Sequence, residues 1–211
     1  MTSVKAKVKS ILISQPQPEG KSPYAAIQKK YNLKIDYRPF IHVDEISTIE
    51  FREQRISILN HDSVIFTSKH AMDHYFSMCE RLRIKVPDYT KYFCVSEAIA
   101  HYLQNFITFR KRKIFTGEQT FASLIPVMQK HSDSKFIFPC SDVLKSRPNK
   151  SLEDSGLEYT KAQMYKVACS DLSDLQDVKY DILVFFSPTG IKSLMENFPK
   201  FIQEETRLAV F

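Results

Sequence analysis

One strongly apolar segment runs directly into a helix start, in Asp181-Ile-Leu-Val-Phe-Phe-Ser-Pro-Thr-Gly190. The run 182–186 has no polar alternation, which is typical of a strand covered on both faces in a parallel sheet. Ser187 is a favourable helix N-cap, and Pro188 suits the first helical position. A helix N-terminus presents unpaired N–H groups with a partial positive charge behind them. The turn is therefore predicted to bind a carboxylate or a phosphate.

The same pattern occurs earlier, in Asp62-Ser-Val-Ile-Phe-Thr-Ser-Lys-His-Ala71. The two segments align without a gap at an offset of 119 residues, so that Ser68 matches Ser187 and the Asp and Phe positions match as well. Two strand–turn–helix segments at this distance predict two similar lobes rather than a solenoid. In the earlier turn, Lys69 adds a cation beside the predicted anion site.

The composition is that of a globular protein with an anionic partner. The chain has 211 residues, 43% of them hydrophobic, and a formal net charge of +6. This charge favours either nucleic acid or a polycarboxylate and does not choose between them. No apolar run is long enough for a secretion signal or a membrane span, so we expect a cytoplasmic protein. The four cysteines are widely scattered, which indicates buried free thiols.

Strands and helices alternate along most of the chain, which predicts an α/β fold of doubly wound parallel-sheet lobes. Two extended segments interrupt this alternation and are predicted to pair as a two-stranded connector. Because the chain would cross the connector twice, the second lobe is inserted in the first. The predicted ranges are 1–38 and 170–211 for the outer lobe, 44–160 for the inserted lobe, and 33–43 and 159–169 for the connector. No helix follows the last apolar strand, 208–211, and we expect the outer lobe to be truncated there.

These features together resemble uroporphyrinogen-III synthase over nearly the whole chain. That family has a bilobed α/β fold with an inserted domain and a two-stranded connector. Its F-T-S turn corresponds to Phe66-Thr67-Ser68, and its F-S-P-[ST]-G turn corresponds to Phe186-Ser187-Pro188-Thr189-Gly190. Tyr165 matches a tyrosine in the return strand of the connector.

Three positions depart from the family pattern. The family's T-R-P motif reads Ser14-Gln15-Pro16 here, so a basic residue is missing. Its V-G-x-x-T-A turn reads Val95-Ser96-Glu97-Ala98-Ile99-Ala100, without the glycine and the threonine hydroxyl. The family's closing strand is followed by a turn with glycine and threonine, whereas this sequence ends at Phe211.

The resemblance implies a lyase of tetrapyrrole and heme biosynthesis. It would cyclise hydroxymethylbilane, a linear tetrapyrrole polycarboxylate, and invert ring D through a spiro intermediate. The resemblance also implies a monomer without metal or organic cofactor, and without a nucleic-acid or membrane partner. It makes Tyr165 a candidate catalytic acid for the departing hydroxyl, although a phenol with a pKa of about 10 is a weak acid near neutrality. The implied substrate-binding residues are Thr67, Ser68, Lys69, Ser187, Pro188, Thr189 and Gly190.

Several alternatives stay open. Tyr165 is equally consistent with a connector tyrosine that only packs. The changes at Ser96 and Ile99 permit a non-catalytic homologue that binds a tetrapyrrole or another polyanion. The basic run 109–113 is consistent with a nucleic-acid-binding module or with a solvated loop. His70 and His74 have the i, i+4 spacing of a metal-binding helix face but no third ligand of clear spacing.

Overall fold

The computed structural model describes residues 8–146 and 149–211 and divides into two compact units. Unit 1 comprises Met1–His42 and Ala168–Phe211, and unit 2 comprises Val43–Val167. The chain passes from unit 1 to unit 2 and back, so unit 2 is an insertion in unit 1. The predicted class, α/β with doubly wound parallel sheets, is confirmed.

The secondary structure follows the predicted alternation. In chain order the strands are β1 Ser10–Ile13, β2 Lys34–Tyr37, β3 Ile41–Glu45, β4 Ser63–Phe66, β5 Lys91–Cys94, β6 Ile114–Thr116, β7 Phe136–Ser141, β8 Tyr159–Cys169, β9 Ile182–Phe185 and β10 Arg207–Val210. The α-helices are α1 Ala25–Tyr31, α2 Thr48–Glu53, α3 Lys69–Arg81, α4 Glu97–Tyr102, α5 Phe121–Gln129, α6 Asp142–Ser146, α7 Lys150–Glu153 and α8 Pro188–Asn197.

Unit 1 has a four-stranded sheet in the order β10-β9-β1-β2, with all its pairs parallel. Leu12 and Leu183 are paired in register and lie on one face of the sheet, where they pack in a cluster with Leu194 of α8. In the same cluster, the rings of Phe40 and Phe185 meet edge to face with their centroids 5.5 Å apart. This apolar face holds α8 against the sheet and so fixes the position of its N-terminus.

Unit 2 has a six-stranded sheet in the order β3-β8-β7-β4-β5-β6. All four residues of β4 are buried, as expected for a central strand of a parallel sheet. Val64 and Phe66 belong to one apolar cluster, with the buried face of α3, while Ile65 belongs to a second cluster, with α5. Because successive strand residues point to opposite faces, this apolar run buries both faces of the sheet.

The predicted connector over 33–43 is wrong in its first half. Lys34–Tyr37 forms β2, which pairs in parallel with β1 in the sheet of unit 1. Of β2 and β3, only β3, Ile41–Glu45, is a hydrogen-bonded neighbour of β8. The extended run is split at Pro39, which has no N–H group and cannot donate to a strand ladder.

The internal repeat is visible in matching hydrogen bonds of the two units. Lys91 N donates to Asp62 O over 2.9 Å, and Arg207 N donates to Asp181 O over the same distance. At the other end of the same strand pairs, the Phe66 and Phe185 carbonyls accept from Val95 N at 3.1 Å and from Phe211 N at 3.0 Å. The strand pair β4–β5 therefore corresponds to β9–β10.

This correspondence locates the point in each sheet where the strand order reverses. The sheet of unit 1 has the strand order β10-β9-β1-β2, and the sheet of unit 2 contains the strands β5-β4-β7-β8 in that order. When β10 and β9 are matched with β5 and β4, β1 corresponds to β7 and β2 corresponds to β8. The reversal lies between β9 and β1 in unit 1, and between β4 and β7 in unit 2. In open α/β sheets, ligands bind beyond the carboxyl ends of the strands at such switch points.

Candidate functional site

The turn after β4 begins at the switch point of unit 2. Ser68 has extended backbone (φ −154°, ψ 160°) and its Oγ accepts a hydrogen bond of 3.1 Å from Ala71 N, which confirms the predicted N-cap. By helix geometry, the N–H groups of Lys69 and His70 in the first turn have no acceptor within α3. Thr67 and Ser68 are partly exposed, and the two residues that follow are exposed. The turn therefore offers two backbone donors to an anion.

The side chain of Lys69 is held beside this turn by an aromatic ring. Its Nζ lies 5.1 Å from the centroid of the Tyr102 ring, within the range of a cation–π contact. The Tyr102 hydroxyl donates a 2.7 Å hydrogen bond to Asp73 Oδ1, and this bond raises the pKa of Tyr102. The result is a positioned cation at the rim of the first helical turn.

Tyr165 lies on β8 beside the same switch point, since it is the register partner of Ser141 at the end of β7. Its side chain is almost fully buried, with 6% of the residue exposed, and the Ser68 hydroxyl lies near the phenol. Burial raises the pKa of the phenol above its usual value of 10, and the nearby Ser68 hydroxyl partly opposes this shift. Near neutrality Tyr165 is thus a protonated hydrogen-bond donor rather than a strong acid.

Sequence reasoning missed the turn after β7, which flanks the other side of this switch point. Ser141 is buried, and its Oγ accepts a 3.2 Å hydrogen bond from Leu144 N. Asp142 follows, and its Oδ1 accepts from Val167 N at 3.1 Å. A hydroxyl residue directly after the apolar run 136–140 is the same signal that identified Ser68, and it could have revealed this turn.

The turn after β9 begins at the switch point of unit 1. Ser187 is the N-cap of α8, as predicted, and its Oγ accepts a 3.2 Å hydrogen bond from Gly190 N. Pro188 has no N–H group, and Gly190 donates to its own cap. Thr189 is therefore the residue of this turn whose N–H is left to an anion. The Gly190 N–H is engaged by the cap, and the place of Gly190 in the substrate-binding turn stays a prediction.

Gly190 lies where close packing leaves little room for a side chain. It is buried, and a Cβ at this position would lie 3.3 Å from Phe185 Cδ1, 3.7 Å from Ser14 Oγ and 3.8 Å from Ser187 Oγ. The absence of a side chain allows the first turn of α8 to approach β9 and the end of β1. The contact also brings Ser14, which sequence reasoning did not select, to the switch point of unit 1.

A cavity of about 880 Å³ in unit 1 does not include the Ser187 turn. It is lined at the other end of α8, by Phe198 and Phe201 among others, with Leu12 and Leu183 of the core. The C-terminal end of a helix carries partial negative charge and disfavours anions. For an anionic ligand, the turns at the switch points are thus the better candidate sites.

The other polar candidates have structural surroundings. His74 stacks on Tyr165 rather than pairing with His70 on a free helix face. In the described part of the chain, no group of three His, Cys, Asp or Glu residues is placed to hold a metal ion. The basic run contains a 3-10 turn, Lys111–Lys113, whose first two residues are exposed. Burial raises the pKa of the Cys79 and Cys94 thiols to about 12, as expected for unreactive core cysteines.

Within residues 8–146 and 149–211, no helix has both the length and the apolar character needed to cross a membrane.

A sequence profile described as "Uroporphyrinogen-III synthase HemD" matches residues 24–211. The chain belongs to the uroporphyrinogen-III synthase family. Solved structures share the fold of this family member. A mutant uroporphyrinogen III synthase from Thermus thermophilus matches with a TM-score of 0.58 and 14% identity, over 96% of this chain and 84% of that chain. The enzyme from Helicobacter pylori matches with a TM-score of 0.57 and 17% identity, over 96% of this chain and 83% of that chain. Among curated proteins, no match is found.

The departures from the synthase family pattern have a visible structural outcome at the turn after β5. Ser96 is the N-cap of α4 and accepts from Ile99 N over 3.4 Å, so the turn keeps its form without the family glycine and threonine. Glu97 occupies the first turn of α4 and is exposed. A carboxylate at this position repels an anionic ligand. The first turns of α3 and α8, which follow Ser68 and Ser187, contain no acidic residue.

Proposed function

We propose that this protein is a uroporphyrinogen-III synthase, which cyclises hydroxymethylbilane with inversion of ring D. The match of the family profile over residues 24–211 is the observation that carries the proposal. The folding of the turns that bear the family motifs, each as a strand, a serine N-cap and a helix, adds support. A cytoplasmic location, a monomeric state and independence of any cofactor stay predictions.

In this proposal the turns bind carboxylates of the substrate. Hydroxymethylbilane carries acetate and propionate arms, and the first turn of α3 offers the N–H groups of Lys69 and His70 with the Lys69 ammonium beside them. Thr67 and the cap hydroxyl of Ser68 border the same turn. In unit 1, Thr189 N–H and the hydroxyls of Ser187 and Thr189 form the corresponding carboxylate site, with Pro188 and Gly190 shaping it.

Tyr165 acts in this proposal as a hydrogen-bond donor to the hydroxyl that departs from the substrate. Its raised pKa keeps the phenol protonated at neutral pH, and the Ser68 hydroxyl lies near the phenol oxygen. A phenol of this kind gives modest acid assistance. The larger catalytic effect is positional, because the protein must hold a flexible chain so that ring D closes in its inverted orientation faster than it closes directly.

One observation favours a second candidate, a non-catalytic homologue that binds a tetrapyrrole or another polyanion. The exposed carboxylate of Glu97 lies in the first turn of α4, at a turn that lacks the glycine and threonine of the family pattern. A protein whose turn after β5 disfavours carboxylates would hold the substrate less completely. It would still bind anions at the turns of Ser68 and Ser187.

A coupled assay separates the two candidates. Hydroxymethylbilane is generated in situ by its synthase, and the cyclic products are separated after oxidation by chromatography of the type I and type III isomers. A synthase yields mainly type III. A binding homologue slows the spontaneous formation of type I and yields no excess of type III, and this result would refute the enzymatic proposal.

A further inference from the structure

The Tyr165 ring has an aromatic neighbour that the sequence analysis considered only as a metal ligand. His74 of α3 stacks on it with ring centroids 4.9 Å apart and planes inclined by 27°. Only 12% of the His74 side chain is exposed, and Tyr165 is buried. Two rings packed at this distance inside a core restrict each other's rotation.

The Nδ1 edge of the His74 imidazole faces a carboxylate. His74 Nδ1 lies 3.4 Å from Glu45 Oε1 and makes no well-formed hydrogen bond to any described residue. Glu45 is itself held by a 3.0 Å bond from Ser77 Oγ and by Arg81 Nη1 at 3.3 Å. Because 47% of the Glu45 side chain is exposed, solvent weakens its attraction, and the ring contact is the stronger restraint on His74.

We propose that His74 is a positioning residue for Tyr165 in the synthase reaction. The inference rests on the function proposed above and extends it to a residue that carries no chemistry itself. The Ser68 hydroxyl lies near the hydroxyl end of the Tyr165 side chain, and His74 packs against the face of its ring. Together they fix the direction in which the phenol O–H group points.

The mechanical consequence of losing the stack is a small displacement of the hydroxyl. Without the His74 ring against it, the phenol has more freedom to rotate about its side-chain torsions, even while its oxygen stays near Ser68. A misplacement of about 1 Å in a catalytic group costs up to about a hundredfold in rate. The binding of carboxylates at the helix N-termini does not depend on the phenol, so the loss should appear in kcat and not in KM.

A matched pair of variants separates the effect of the aromatic ring at residue 74 from the effect of its volume. His74→Phe keeps an aromatic ring against Tyr165, whereas His74→Leu fills the space without one. We expect His74→Leu to lower kcat by about tenfold to a hundredfold with KM nearly unchanged, and His74→Phe to restore most of the rate. His101→Ala is the control, because His101 also lies beside an aromatic ring, that of Phe109 at 6.3 Å, but outside the site.

A second readout does not require activity. In protein with ¹³C-labelled tyrosine rings, the Tyr165 signal is assigned by its loss in Tyr165→Phe. The signal should stay displaced by the ring current of residue 74 in His74→Phe and should move toward the values of free tyrosine in His74→Leu. Should His74→Leu not fold, His74→Gln replaces it.

The inference is overturned if both variants retain the wild-type kcat, or if the Tyr165 signal is the same in the two. If the wild-type protein produces no type III isomer, the synthase proposal fails, and the NMR comparison alone decides whether His74 positions the tyrosine.

Discussion

Replacing Ser68 with alanine tests the link between the helix cap and Tyr165. The change removes the cap bond to Ala71 N, for which the usual cost is about 1 kcal/mol, and also the polar contact with the Tyr165 phenol, for which we expect a further loss of about 0.5–1.5 kcal/mol. The expected loss in the free energy of unfolding of unit 2 is the sum, about 2 kcal/mol. Ser187→Ala loses only the cap bond to Gly190 and should cost about 1 kcal/mol.

Hydrogen exchange of the β4 and β9 amides measures these losses in each unit separately, which a single global unfolding curve does not. A double-mutant cycle that combines Ser68→Ala with Tyr165→Phe should show a coupling free energy of about 1 kcal/mol between residues 68 and 165. Ser68→Ala should also raise the pKa of Tyr165 further, as followed by ultraviolet absorbance, because the hydroxyl that lowers it is gone. Strict additivity in the cycle, or equal losses for the two serine variants, would refute the reasoning.

Three further outcomes are expected. Gly190→Val should destabilise unit 1 by about 1–3 kcal/mol through overpacking, while Gly20→Val, with no heavy atom within 4 Å of its Cβ, should be neutral in thermal unfolding. The pKa of Glu50 is lowered to about 2, mainly by its hydrogen bond to Lys166. The contribution of this carboxylate to stability is therefore present above pH 4.5 and is lost as the pH falls toward 2. Glu50→Gln should flatten the dependence of the free energy of unfolding on pH in this range. Lys69→Met should weaken the binding of a linear tetrapyrrole at most about fivefold, with less effect at high salt, and a loss beyond a hundredfold would contradict a secondary role.

The fold was predictable where local patterns and the global architecture agree. The apolar runs ending at Phe66 and Phe185, each followed by a serine, identified two strands, two caps and an internal repeat. These signals are local, because a cap depends on the residues within one helical turn. The boundary at Pro39 was misjudged because an extended run does not reveal in which sheet its strand will pair.

The candidate site was less predictable, because its contacts join residues that are distant in sequence. Ser14 approaches Gly190, and His74 stacks on Tyr165, only through the order of the strands. Ser141 was missed although its pattern repeats that of Ser68, since the helix that follows it is short and has weak periodicity. The availability of individual N–H groups also required the structure, because Gly190 donates to the cap that the sequence correctly assigned to Ser187.

Under the proposed function, the protein directs the closure of hydroxymethylbilane. The most direct test of this function is the ratio of type III to type I product, measured as a function of protein concentration with a fixed and slow supply of substrate. The fraction of type III should rise with protein and approach unity, and Tyr165→Phe should need a higher concentration to reach it. A product that remains type I at every protein concentration, as in the protein-free control, would contradict the claim.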